Sequence, residues 1–262
     1  MSSPAAESVS EQFERRAERA EMLAPGAPSA EAPLLFATGL FRAQAEMARA
    51  LRSVSPKLEE MLEPLLRAAV PVLRHAESGP EALAEAARSR LDDDPGTARS
   101  RLRIYWDGGL EARDDYLSRA ILQPWVRILA AEKRAPERPT RKGACPFCSG
   151  LPWMATRRGE ADLQGGQRNL CCALCGGEWE FMRIKCPNCG EEDPHKLPNF
   201  HDEARKAVRI ETCETCKRYV KSIDLSVDAR PIADVDDLVT LALDLWADEQ
   251  GYTRIEPGLA GI

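Results

Sequence analysis

The sequence has no apolar run near the roughly 18 residues that cross a bilayer as a helix, so no membrane insertion is expected. Its opening, MSSPAAESVSEQFERRAERAEM, carries an Arg15–Arg16 pair with no apolar stretch behind it. Neither a secretory nor a twin-arginine leader is expected there, and we place the protein in the cytoplasm. Basic charge is not in excess: 36 Lys and Arg against 42 Asp and Glu leave a net charge of −6, the wrong sign for general neutralisation of phosphates. Also missing are a P-loop, a GxGxxG turn after a strand, an HExxH helix and a GxSxG elbow. Runs such as Asp92-Asp93-Asp94 and Glu191-Glu192-Asp193 read as solvated loops rather than acid–base pairs. We expect no enzyme and no small-molecule substrate. Cysteine is absent before Cys145 and after Cys216. All nine lie in that window, and an odd number in a reducing compartment argues for metal ligands over a disulfide framework.

What is present divides by composition. Residues 1–134 are rich in Ala, Leu, Arg and Glu and read as an all-helical domain. Phe36, Leu40, Ala43, Met47 and Leu51 recur at helical spacing, with Pro33 near the start. Leu58, Met61, Leu62, Leu65 and Leu66 form a second stripe, which Pro64 and Pro71 should kink or divide. A third helix is expected over 114–133, with Pro124 kinking it. Residues 135–143 (APERPTRKG) read as a linker. Ribbons are expected over 144–183 and 184–226, with strands at Glu178-Trp179-Glu180-Phe181 and Ala207-Val208-Arg209-Ile210. Residues 227–262 return to helix through Val235, Leu238, Val239, Ala242, Leu245 and Trp246. Asp234 is the expected N-cap and Gly251 the stop.

The cysteines form four CxxC pairs: Cys145/Cys148, Cys172/Cys175, Cys186/Cys189 and Cys213/Cys216. Twenty-three residues separate the first pair from the second, and 23 again separate the third from the fourth. Equal spacing suggests two copies of one module. A CxxC turn points two sulfurs at one place, and two such knuckles make a tetrahedral four-sulfur site, as in zinc ribbons and rubredoxins. The residue after the second cysteine often needs a left-handed backbone, which suits glycine. Gly176 and Gly190 stand there, whereas Ser149-Gly150 and Lys217 follow the other two pairs. Pro146 and Pro187 pre-set the first turn of each module. Consecutive pairing of knuckles is preferred, and interleaved pairing stays open with longer loops. Cys171 reads as a small buried residue beside a ligand, with an alternate ligand or transferring thiol as the other reading. His195 and His201 read as exposed loop residues, and His75 as lying in or near the helical core.

Two other readings follow from the same residues. Between Lys142 and Ser226 there are 13 Lys or Arg and 12 Asp or Glu. A divalent ion in four thiolates adds about two negative charges per site, so these ribbons poorly suit nucleic acid. The groups Arg205-Lys206-Arg209 and Lys217-Arg218-Lys221 keep a nucleic-acid-binding regulator open. A small dithiol redox protein is the other alternative, without the βαβ context it would need.

The ordered string CPFC…CALCGGEW…IKCPNCG…IETCETCKRYVK resembles the FdhE-type formate dehydrogenase accessory proteins. So do ARDDYLSRAILQPWVRILA and VDDLVTLALDLWADEQGYTR, and the likeness covers about the last 150 residues. The resemblance implies a multidomain α+β protein: an all-helical N-terminal domain, two tandem rubredoxin-like or zinc-ribbon modules, and a C-terminal helix. It implies a cytoplasmic factor for maturing formate dehydrogenase, with that enzyme's catalytic subunit as partner. It also implies two metal ions, iron or alternatively zinc. Cys145, Cys148, Cys172 and Cys175 would hold one, and Cys186, Cys189, Cys213 and Cys216 the other. Lys217 after the last knuckle, and the bulky Trp153 and Met154 after the first, depart from the family pattern.

Overall fold

The computed structural model describes residues 7–108, 115–159, 167–201, 206–227 and 231–260. The chain divides into two compact units, Met1–Arg138 and Pro139–Ile262.

The first unit is helical: α1 (Val9–Leu23), α2 (Glu31–Ala50), α3 (Leu58–Ala68), α4 (Val70–Ala76), α5 (Glu81–Leu91), α6 (Pro95–Asp107) and α7 (Tyr116–Ala131). A capping box starts α1: the Glu11 amide donates to Ser8 Oγ, and the Ser8 amide donates to the Glu11 carboxylate at 2.7 Å. This satisfies donors that the first turn otherwise leaves open. Phe13, Ala17 and Ala20 bury one face of α1, and Phe13 meets Phe41 of α2 at 6.4 Å between ring centroids. On α2 the expected stripe is buried at Leu40, Ala43 and Met47, with Phe36 half-buried, and Leu51 is buried just past the helix at its C-cap. The second expected helix is split at Ala69. Pro71 then occupies the first turn of α4, where its missing N–H leaves no bond unmade. Pro64 is accommodated inside α3 and Pro124 inside an unbroken α7. Position 114, the expected start of α7, lies outside the described residues; Asp115 caps the helix, accepting from the Ser118 amide at 3.0 Å.

Nearly all of α7 is buried. Trp125 is fully enclosed, and its indole N–H reaches the Ser55 carbonyl at 2.9 Å. The Gln44 side chain donates to Gln123 Oε1 at 2.7 Å and to the Ala120 carbonyl at 2.8 Å. This pairs buried polar groups between α2 and α7. His75 is half-buried, stacked on Phe36, with Nε2 2.8 Å from the Phe36 carbonyl.

The second unit holds β1 (Pro152–Arg158), β2 (Gln167–Cys172), β3 (Glu178–Glu180), β4 (Asn199–His201), β5 (Val208–Cys213), β6 (Arg218–Asp224) and β7 (Thr253–Arg254). The strands of the two modules join in one sheet, ordered β3-β2-β1-β6-β5-β4. Each module contributes three antiparallel strands, and parallel pairing of β1 with β6, from Met154 opposite Lys221 to Arg157 opposite Asp224, fuses them. Further along the same edge of β6, β7 pairs with Arg218 and Tyr219. Trp153 and Met154, the bulky departures after the first knuckle, are buried in β1. One apolar cluster draws on both modules: Ala155 and Leu170 from the first, Val220 from the second, and Ile255 from the C-terminal segment.

The C-terminal stripe forms α8 (Ala233–Asp236) and α9 (Leu241–Glu249), joined by a 3-10 turn. Asp234 is not the N-cap. Ile232 holds that position, and its amide donates to the Asp236 carboxylate at 2.8 Å while Asp234 is buried. Gly251 follows α9 with φ +79°. Beneath these helices Lys221 contacts Asp237 at 2.6 Å and Asp244 at 2.5 Å, and Arg254 contacts both carboxylates. Arg254 also donates to the Trp153 carbonyl at 2.8 Å, and Tyr219 donates to Asp244 at 2.8 Å. Two cations face two anions with almost no solvent, the pairing that charges need to stay buried.

Candidate metal centres

The sheet delivers the cysteines. Within each module the first knuckle precedes the strands, and the second closes a hairpin: Cys172 ends β2 before β3, and Cys213 ends β5 before β6. All four turns share one backbone pattern. The amide after the second cysteine donates to the carbonyl of the first: Ser149 to Cys145, Gly176 to Cys172, Gly190 to Cys186 and Lys217 to Cys213, at 2.8–3.2 Å. These four donors all have positive φ, between +53° and +84°. Ser149 and Lys217 therefore take the left-handed conformation without glycine's freedom. Gly150 serves a different need. A Cβ there would stand 2.7 Å from Cys172 Sγ, so the close approach of backbone to ligand sulfur requires glycine.

The turns gather two sets of four sulfurs: Cys145, Cys148, Cys172 and Cys175, then Cys186, Cys189, Cys213 and Cys216. Within each set the sulfurs lie within 4.8 Å of one another. Cross-knuckle separations are 3.7 Å (Cys145–Cys175), 3.4 Å (Cys148–Cys172), 3.7 Å (Cys186–Cys216) and 3.6 Å (Cys189–Cys213). These are far beyond a disulfide bond. A tetrahedral ion with metal–sulfur bonds of about 2.3 Å needs sulfurs about 3.8 Å apart, so the donor set and its size fit a metal ion in each cluster. Backbone amides also point at sulfur: Leu174 N–H to Cys172 at 3.4 Å and Gly177 N–H to Cys175 at 3.3 Å. Burial, then the neighbouring thiols, push the Cys172 thiol well above its ordinary value. A central cation reverses that preference by favouring thiolate.

The two clusters differ in exposure. All four cysteines of the first are buried, whereas Cys189 in the second is exposed and Cys216 half-buried. Among the described residues neither cluster includes a histidine or carboxylate. His195 sits in a short 3-10 turn, and His201, expected in a loop, ends β4; both are exposed. Cys171 faces away from the cluster on β2: it is buried, with its sulfur 3.8 Å from the Glu178 carboxylate. Burial raises its thiol above the ordinary range, which makes it a poor nucleophile. Of the basic groups, Arg205 lies outside the described residues. Lys221 is fully buried in the ion network described above, so it offers nothing to a phosphate backbone. Among the described residues no helix is long and apolar enough to cross a membrane.

Comparison with known proteins agrees with this geometry. The family profile "FdhE, C-terminal domain" matches residues 184–259. A protein FdhE homolog of Aquifex aeolicus is 33% identical over 140 residues, covering 53% of this chain and 49% of its own length. One from Pseudomonas aeruginosa is 38% identical over 150 residues, 55% of this chain and 48% of its own. Protein FdhE of Escherichia coli is 28% identical over 198 residues, 72% of this chain and 62% of its own. The aligned part of the chain thus spans about half the length of the first two. The crystal structure of the FdhE protein from Pseudomonas aeruginosa matches with a TM-score of 0.67 at 27% identity, over 97% of this chain and 96% of that one. The knuckle order, the fold and these likenesses together show that the chain resembles the FdhE proteins, in its C-terminal part by sequence and over nearly its whole length by fold.

Proposed function

We propose that this protein is an accessory factor in the maturation of formate dehydrogenase, acting in the cytoplasm on the catalytic subunit and catalysing no reaction itself. The observation that carries the reading is the likeness to an FdhE structure over 97% of the chain, joined to two four-sulfur clusters of metal-site size. Cys145, Cys148, Cys172 and Cys175 hold one metal ion, and Cys186, Cys189, Cys213 and Cys216 the other. Both are iron in this proposal, following the family resemblance, although four thiolates accept zinc equally well. Closed sulfur sites leave no position for substrate, which suits a structural or electron-carrying role over hydrolytic chemistry.

The domain plan follows: a helical domain over 1–134, a linker over 135–143, metal-fixed ribbons over 144–183 and 184–226, and a C-terminal helical segment over 227–262. Loops held on such a scaffold are well placed to meet a partner. The test is an anaerobic pull-down with the full chain as bait, probed for the formate dehydrogenase catalytic subunit, with metal content measured on the same sample. Capture of that subunit is expected. No capture, with both sites filled and the enzyme present in the lysate, would refute the accessory role.

A further inference from the structure

Beside the second sulfur cluster lies a small open cavity of about 50 Å³, lined on one wall by Cys186, Pro187 and Cys213. Five of its other lining residues are cationic, namely Arg168, Arg183, Lys185, Arg209 and Arg218, and one is anionic, Glu211. The cations come from both modules and from the segment joining them, so no local stretch of sequence shows the cluster. Glu211 is already shared, by Arg168 at 2.8 Å and Arg209 at 2.6 Å. Just behind the lining, Arg157 spends one face on Asp224 at 3.0 Å. Burial and then the Arg209 cation depress the Arg157 guanidinium, with Arg183 acting in the same direction. These guanidiniums therefore repel one another across a small volume.

The decisive observation is Arg168. Its side chain is 3% exposed, and its guanidinium binds the Met182 and Lys185 carbonyls as well as Glu211. Its Nε nevertheless has no hydrogen-bond partner. A buried donor left open next to an excess of cations is costly, and a compact anion removes both costs. A filled second sulfur site adds about two negative charges to one wall and still leaves cations in excess. The cavity's size suits one tetrahedral group and excludes a stretch of acidic peptide.

We propose that this cavity is a binding site for a phosphate-class oxyanion, either the free ion or the terminal group of a small phosphate ester. Arg168 provides the buried floor, and Arg209 and the exposed Arg183 close on the anion as planar donors, the geometry that favours arginine over lysine at such sites.

The test uses the full, metal-loaded chain in calorimetric titrations with inorganic phosphate and with sulfate, and with chloride at matched ionic strength to remove simple screening. One saturable site for phosphate and sulfate, absent for chloride, is expected. Arg183→Gln and Arg209→Gln should each weaken it about tenfold or more, while Arg15→Gln, on the other unit, leaves it unchanged. Arg183 is exposed, so its variant is expected to fold, and metal content and circular dichroism check this for both. A parallel titration with glycerol 3-phosphate separates the two sources: equal affinity indicates that an ester is accepted, and loss of binding restricts the site to the free ion. No saturable heat with phosphate, an equal response to chloride, or an unchanged affinity in a folded Arg183→Gln protein would overturn the proposal.

Discussion

At the scale of single residues, the knuckles show which positions tolerate substitution and why. Four positions share a left-handed backbone, yet only two are glycine. Ser149 and Lys217 bear the strain, which for an L-residue amounts to roughly 1–2 kcal/mol. Lys217 recovers part of it by pairing with Glu214 and placing Nζ 5.2 Å from the centre of the Tyr252 ring. Gly190→Ala should therefore destabilise the protein by about 1 kcal/mol without disturbing the metal, because the nearest atom is the flexible end of Lys142. Gly150→Ala should do the reverse. Its new Cβ would collide with Cys172 Sγ, displacing a ligand and weakening the first cluster's metal by tenfold or more while the second keeps its own. Chelator titrations of the two variants separate these outcomes; equal loss of metal in both would contradict the assignment. The acidic runs are engaged locally: Asp94 caps α6 through the Gly96 and Thr97 amides, and Glu191 accepts from the Asp193 amide and the Thr215 hydroxyl. Side-chain type alone did not reveal those bonds.

At the scale of elements, the buried ion network fastens α8, α9 and β7 onto β6. Burial by itself would raise the Asp237 carboxyl, but Arg254 and Lys221 overcome it and hold the group below its ordinary value of 3.8. A carboxylate with a depressed folded pKa contributes stability that is present above the unfolded pKa and lost as pH falls through the folded one. The C-terminal helices should therefore hold down to about pH 4 and loosen below it. Asp237→Asn leaves Lys221 and Arg254 short of charge, costs about 3–5 kcal/mol at neutral pH, and should flatten the fall below pH 4. Urea unfolding across that range checks both the magnitude and the slope. None of this was visible in the sequence, where Asp237, Asp244 and Arg254 look like surface charges on a polar face. Spacing reveals which residues share a helix face; it does not reveal a cation arriving from a strand earlier in the chain. For the same reason Asp234, an ordinary N-cap candidate by type, proved to be a buried side chain, with Asp236 making the cap bond. Local pattern did expose the helical stripes and the break near Pro71, because those signals lie within one or two turns.

At the scale of the molecule, equal cysteine spacing and four CxxC turns made the two sulfur clusters legible, since a knuckle is a local structure and its repeat is a count. The fusion of both modules into one sheet was not legible. It rests on β1 lying parallel to β6, a pairing of residues 67 positions apart that neither strand's alternation encodes. That fusion gives the ribbons a shared apolar cluster, so metal ions in the sulfur clusters would complete a partly self-supporting unit instead of being its only staple. It also builds the cationic cavity from residues of both modules. Each chain is expected to carry two metal ions in sulfur-only sites, one enclosed and one open at Cys189. X-ray absorption on the anaerobically purified full chain, with metal quantified on the same sample, tests it most directly. Two metal ions per chain are expected, each with four sulfur neighbours at about 2.3 Å. One ion per chain, or nitrogen or oxygen in the coordination shell, would contradict it.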